Sequence, residues 1–322
     1  MENLLKNFPE QFSFQPEITN PENLKKTDKF IVAGLGGSHL PADFIKTANS
    51  KIDLLIHRDY GLPRVPDYFL NESLIICSSY SGNTEETLDV FSESLKRGLS
   101  LAVISSGGEL LRLAEENKIP FIKIPAGFPP RLALGFSTLA LLSFLKEEKE
   151  ITEIKSLSAA TDFSLLKEKG KELAEKIRGK IPVVYSSSEN FSLAYFWKTV
   201  LNETGKTPAF FNIFPELNHN EIEGFDFSDI SRPLSENFIF IFLSDAKSHS
   251  KILKRMNITR ELYENRGLFV IDENLMTDGG VWKKIFSSVL LSSWLAFYLA
   301  EFYGSAPEKV PLIEELKSLM KK

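Results

Sequence analysis

Cysteine and histidine are scarce in this chain, with one of the first and four of the second in 322 residues. A single cysteine excludes an intrachain disulfide and suits a reducing compartment. Cys77 falls in the apolar run LIIC, where a buried structural thiol is expected rather than a nucleophile. The histidines have no ligand spacing such as H-x-x-x-H, so no metal centre is expected. A basic excess is also missing. The formal net charge is −5, which argues against a nucleic-acid-binding surface while leaving room for a local basic pocket. The longest apolar stretch, residues 289–300, contains two serines and a tryptophan and is too short to span a bilayer. The start, MENLLKNFPEQF, has acidic and polar residues where a secretory signal needs an apolar core. The expectation is a cytoplasmic chain with no membrane and no nucleic-acid partner.

What the sequence does contain is alternation. FIVAGL, KIDLLIH, SLIICSS, LSLAVIS and PFIKIP are short β-type runs, with helix-like segments at 42–48, 84–97 and 110–116 between them. Alternation of this kind implies a parallel sheet covered by helices. A helix at 138–145 and the charged run 146–150 end this first half. The scheme then repeats. IPVVYSS, PAFFNIF, NFIFIFL and GLFVID are strand candidates, and 191–203, 247–257 and 281–303 are helix candidates. At a constant offset the halves share Ala42/Ala194, Phe44/Phe196, Lys46/Lys198 and Thr47/Thr199, a short echo of duplication. Two α/β domains are expected, residues 1–150 (with an N-terminal extension) and 151–322.

Ligands of open α/β sheets bind beyond the carboxyl ends of the strands. Two unusual turns of the first half lie there: GLGGSH (34–39) and SSYSGNT (78–84). In the second turn Asn83 is a good N-cap, and Glu86 three residues on completes a capping-box pattern, so a helix starts near Thr84. Its first N–H groups lack helical partners and face hydroxyls at 79, 81, 84 and 87, a setting that suits a phosphate dianion. Ser and Asn also form ordinary capped turns. Neither turn has the lysine of a P-loop. The glycine turn departs from a dinucleotide fingerprint at position 39, which is His. Asp59 keeps a nucleotide open by its spacing, but a small phosphate ester fits the hydroxyls better.

SYSGNTEET (79–87) with GLGGS (34–38) resembles the sugar isomerase, or SIS, domain. RDYGLP (58–63), ISSGG (104–108), PRLALG (130–135) and ELNHNEI (216–222) extend the resemblance over the whole chain, to the bacterial and archaeal bifunctional phosphoglucose/phosphomannose isomerases. The resemblance implies two SIS domains, each a flavodoxin-like three-layer sandwich with a parallel sheet. It further implies a homodimer that interconverts glucose or mannose 6-phosphate with fructose 6-phosphate, without a cofactor. By the matched motifs Gly36, Gly37 and Ser38 would lie against the sugar phosphate, and Ser79, Ser81 and Thr84 would hold its phosphate. Arg131 would sit by the reacting carbons and Glu203 would be the base. His219, from the neighbouring subunit, and Lys317, placed by VPLIEELK, would serve ring opening. His39 stands where the family has a small residue, and would either crowd the sugar or line the entrance.

The residue types fit that chemistry. A poised carboxylate can move a proton between neighbouring carbons, and Glu203 in VLNETG sits at the end of a helix that Gly205 follows. A fixed guanidinium stabilises enediol charge, and Arg131 follows a stiff FPP approach. Each also has a plainer reading, as a solvated helix-end glutamate and a surface arginine. Lys317 alone reads as one lysine on a solvated C-terminal helix. His57 and His249 are expected to be structural, and the 281–303 aromatic stripe to be core or dimer surface. A protein that only sensed sugar phosphate would need the hydroxyls but not Glu203 and His219. Another SIS isomerase, for a different ketose or amino-sugar phosphate, is the nearer alternative.

Overall fold

Val, Ile, Leu and Phe recur in nine short runs, and the inner ones are buried on both sides, the pattern of central strands in a parallel sheet. In the computed structural model, which describes residues 1–160 and 163–320, each run forms a strand. The chain divides into two compact units, Lys6–Thr161 and Met1–Leu5 with Asp162–Lys322. The first carries β1 (Lys29–Ala33), β2 (Asp53–His57), β3 (Leu74–Ser78), β4 (Leu101–Ser105) and β5 (Phe121–Lys123). The second carries β6 (Ile181–Ser187), β7 (Phe210–Phe214), β8 (Phe238–Ser244) and β9 (Phe269–Asn274).

The sheet orders are β2-β1-β3-β4-β5 and β7-β6-β8-β9, and the registered strand pairs are parallel. Strand order reverses between β1 and β3 in one sheet and between β6 and β8 in the other. These are the topological switch points, beyond whose carboxyl ends ligands bind. The α/β expectation of two helix-covered parallel sheets is met. The duplicated residues fall on equivalent helices, Leu40–Ala48 after β1 and Phe191–Glu203 after β6. Ala42, Phe44, Ala194 and Phe196 are all fully buried there.

The second unit has its largest helix at Val281–Phe302, long and apolar enough in composition to cross a membrane, but 83% of its apolar window is buried inside the protein. It packs on helices Leu165–Ile177 and Phe191–Glu203. Right-handed crossovers from β6 outward to β7 and from β8 outward to β9 put their helices on opposite faces of the sheet. Helix Phe191–Glu203 therefore lies on one face and helix Ser250–Glu264 on the other. On the latter face Tyr185, Phe214, Leu217, Phe240, Met256 and Tyr263 form one cluster.

Two sequence expectations change. The helix expected at 247–257 begins at Ser250 and runs to Glu264. Residues 245–249 are held out of it by their own hydrogen bonds, Lys247 N to Asp245 Oδ1 (2.8 Å) and Ser248 N to the Asp245 carbonyl (2.9 Å). A helix not anticipated, Leu165–Ile177, packs so closely that a Cβ on its Gly170 would lie 2.6 Å from Trp294 Cβ.

Candidate functional site

At the first switch point the two turns meet and are tied together. The Ser78 hydroxyl donates to the Ser38 carbonyl (2.9 Å), and the Tyr80 amide donates to Ser38 Oγ (3.0 Å). Gly37 lets the glycine turn touch a third segment, since a Cβ there would lie 2.9 Å from the Arg131 amide nitrogen. Tyr80 fastens the approach to Arg131. Its hydroxyl donates to the Pro125 carbonyl (3.1 Å) and accepts from the Phe128 amide (2.8 Å). Burial pushes the Tyr80 phenol up, which keeps it a hydroxyl for both bonds. Gly36, Gly37, Ser38, Ser79, Ser81, Thr84 and Arg131 thus belong to one corner of the first unit. Arg131 is buried in the short helix Pro130–Leu132. Tyr80 is a positioning residue that the sequence reading did not assign.

The hydroxyl turn is arranged differently from its expected capping box. Helix Glu85–Lys96 has Thr84 as N-cap and no side-chain capping bond. Ser79 Oγ and Thr84 Oγ1 are 2.8 Å apart, and Ser79 Oγ accepts from the Gly82 amide (3.1 Å). Ser81 is exposed and its Oγ accepts from the Asn83 amide (3.2 Å). Asn83 does not cap its own helix. Its Oδ1 accepts from the Glu109 amide (3.1 Å), at the start of the next helix, Gly108–Glu116. Thr87, the fourth expected hydroxyl, is buried inside the unit without a hydrogen-bond partner among the described residues. Gly82 is required twice over. Its φ is +69°, and a Cβ would fall 1.8 Å from the Gly107 carbonyl oxygen.

The corner therefore offers an uncapped helix N-terminus, three polar hydroxyls and a glycine turn, arranged as an oxyanion or phosphate cradle. His39 neither crowds it nor lines an entrance. Its side chain is buried, with Nδ1 2.6 Å from Asp43 Oδ2, and Arg58 Nη2 donates to Asp43 Oδ1 (2.6 Å). A partner carboxylate four residues along the helix turns the ring inward. Asp59 accepts from the neighbouring Tyr60 amide (2.8 Å), closing its own turn. Cys77 is buried and its thiol is pushed up to about 12 by burial, which fits a structural role.

The equivalent corner of the second unit is filled. The Lys284 ammonium donates to Asp245 Oδ2 and Asn190 Oδ1 (2.8 Å each), and Asn190 Nδ2 donates to Ser187 Oγ (3.1 Å) and Asp245 Oδ2 (3.2 Å). Burial works against the Asp245 charge. Lys284, the Lys247 amide and Asn190 outweigh it and hold the carboxyl below its ordinary range. A carboxylate of the chain itself stands where the first unit leaves room for an anion.

Glu203 ends helix Phe191–Glu203 and is half-buried. The Lys206 ammonium donates to the Glu203 carbonyl (2.5 Å), a cation at the negative helix end. Lys206 takes the left-handed conformation, with φ +51°. Asn202 exchanges hydrogen bonds with Ala209 (2.9 and 3.3 Å), fixing this helix end beside the start of β7. His219 lies beyond the far end of β7, in the short helix Glu216–His219, exposed and without a hydrogen bond or ion pair to any described residue. Lys317 sits on helix Pro311–Met320, which buries none of its side chains. Glu203 and His219 are thus not brought together within this unit. His57 Nε2 donates to the Gly61 carbonyl (2.8 Å) and His249 Nδ1 accepts from the Lys251 amide (3.2 Å), both structural roles.

Residues 166–320 match the family described as bacterial phospho-glucose isomerase C-terminal SIS domain. The bifunctional phosphoglucose/phosphomannose isomerase of Aquifex aeolicus is 35% identical over 298 residues, covering 91% of this chain and 90% of that protein. The protein of the same name from Caldicellulosiruptor bescii is 32% identical over 333 residues, covering 97% and 96%. A solved structure of a hypothetical protein from Thermus thermophilus shares the fold, with a TM-score of 0.69 at 18% identity over 98% of this chain and 86% of its own. With relatives this similar over nearly its whole length, the chain belongs to the bifunctional phosphoglucose/phosphomannose isomerase family.

Proposed function

We propose that this protein interconverts glucose 6-phosphate, and mannose 6-phosphate, with fructose 6-phosphate in the cytoplasm. The observation that carries this reading is the uncapped start of helix Glu85–Lys96 beside the Ser79–Thr84 hydroxyl pair. Ser79, Ser81 and Thr84 hold the phosphate there, with the free N–H groups of the helix start. Gly36, Gly37 and Ser38 lie against the sugar phosphate.

In the reaction, His219 and Lys317 serve ring opening. The carbon-1 hydroxyl gives up its proton, the bond from carbon-1 to the ring oxygen breaks, and the ring oxygen is protonated. Glu203 then removes the proton from carbon-2, forming a cis-enediol as the carbon-1 carbonyl oxygen takes up a proton. The same carboxyl returns a proton to carbon-1 while the carbon-2 hydroxyl becomes the carbonyl. No electrons leave the substrate. Arg131 stabilises the developing oxygen charge, and a guanidinium already fixed by burial needs little reorganisation to do so.

The working form is a homodimer in which His219 serves the substrate of the partner. Support comes from the second sheet, where Glu203 and His219 belong to segments on opposite faces, an arrangement that favours one of them reaching a shared substrate from another chain. A proton NMR time course of fructose 6-phosphate with the purified protein tests the assignment. Glucose and mannose 6-phosphate signals are expected, and a spectrum that does not change removes it.

A further inference from the structure

The motif ELNHNEI contains an acid, Glu221, that the reaction above does not use. It is half-buried and its two oxygens are separately engaged. The buried Tyr185 hydroxyl donates to Oε1, and Asn212 Nδ2 donates to Oε2 (2.5 Å). Tyr185 and Asn212 are paired across β6 and β7, so the carboxylate binds two neighbouring strands at once. Burial raises the Tyr185 phenol far above its ordinary range, with Tyr263 and Glu221 adding to the effect, so it stays a hydroxyl and a donor. The Glu221 amide donates to Asn220 Oδ1 (2.6 Å), and Asn220 Nδ2 donates to Glu216 Oε1 (3.1 Å). On the other side of His219, Asn218 Nδ2 donates to Thr259 Oγ1 (2.9 Å), and Leu217 is fully buried. Ile222 packs on the same cluster. Every neighbour of His219 from 216 to 222 except Glu216 and Asn220 is thus fastened to the sheet or its helix, while the histidine projects outward.

We infer that Glu221 is a positioning residue whose carboxylate, gripped by Tyr185 and Asn212, fixes the loop that presents His219. A short loop held only by apolar contacts keeps its average place but not its orientation. A two-pronged charged hydrogen bond to neighbouring strands also fixes direction. The inference rests on the ring-opening role proposed for His219.

Its test separates ring opening from binding. Exchange between the α and β anomers of glucose 6-phosphate, followed by NMR with the dimeric enzyme, reports ring opening alone. His219→Ala should slow the catalysed exchange. Glu221→Ala should slow it about 10- to 100-fold, the scale of a misplaced catalytic group, with unchanged affinity for the open-chain analogue 6-phosphogluconate. Glu221→Gln, which can still bond both Tyr185 and Asn212, should recover most of the rate, and Tyr185→Phe should fall between. Where Glu221→Ala fails to fold, the ordering of wild type, Glu221→Gln and Tyr185→Phe decides. Wild-type exchange in Tyr185→Phe and in any folded Glu221→Ala, beside a slowed His219→Ala, overturns the positioning role. Wild-type exchange in His219→Ala itself removes the ring-opening reading and this inference with it, leaving Glu203 untouched.

Discussion

Glu203 and His219 belong to segments on opposite faces of one parallel sheet, separated in sequence by β7. Glu203 ends the helix that leads into the strand, beside Ala209. His219 follows the strand's other end, on the face that carries Met256 and Tyr263. If both act on one sugar, the proposed dimer brings them together from two chains. Mixing Glu203→Gln with His219→Ala subunits should then restore about a quarter of wild-type sites, because half of random pairs are mixed and each holds one intact site. Verified mixed dimers without activity would refute the sharing.

The hydroxyl turn should matter for ligand more than for folding. Ser81→Ala with Thr84→Ala removes no helix cap, since Thr84 makes no capping bond. Hydrogen bonds to a charged phosphate are worth about 1.5–3 kcal/mol each, so affinity for 6-phosphogluconate should drop at least tenfold while the melting temperature barely moves. Calorimetry showing unchanged affinity would remove phosphate from this corner.

Gly82→Ala should be costly for a different reason. The left-handed φ and the Gly107 carbonyl oxygen 1.8 Å from the added Cβ leave no room without moving backbone, and strained positions of this kind cost about 1–3 kcal/mol. Gly107 leads into helix Gly108–Glu116, so that helix should shift too, visible as changed amide signals at Glu109 and Leu110. A variant with wild-type stability and spectra would show that the turn is not packed as described.

Much of this was legible in the sequence. The strands announce themselves by β-branched and aromatic runs, and the candidate site's corner by hydroxyls around a glycine at a strand end. What the sequence hid was tertiary. Gly170 and a lysine-rich surface conceal helix Leu165–Ile177, because that glycine is there to admit Trp294. Asn83 has the spacing of a cap for its own helix yet caps the following one through Glu109. His39 looks like an intruder in a glycine turn until Asp43 and Arg58 are seen to hold it inside. Local spacing names candidate partners, but folding chooses among them.

The filled corner of the second unit gives a pH-dependent prediction. Asp245→Ala strands the mostly buried Lys284 ammonium, and breaking such a pair costs about 3 kcal/mol. The Asp245 carboxyl lies lower in the folded protein than its ordinary value of 3.8. Its contribution is therefore present above that value and is lost as the pH falls through the lower folded pKa. Urea unfolding should show a wide gap between wild type and variant at neutral pH that narrows in acid. A gap that is constant or widens on acidification would contradict the ion pair.

Glu203 is the base proposed to move a proton between carbon-1 and carbon-2. Fructose 6-phosphate incubated in deuterium oxide with wild-type protein should gain deuterium at carbon-1, and the aldose products at carbon-2. Glu203→Gln keeps the side chain's shape and removes the base, so it should bind 6-phosphogluconate as wild type does and exchange almost nothing. Substantial deuterium uptake by that variant would move the base to another residue.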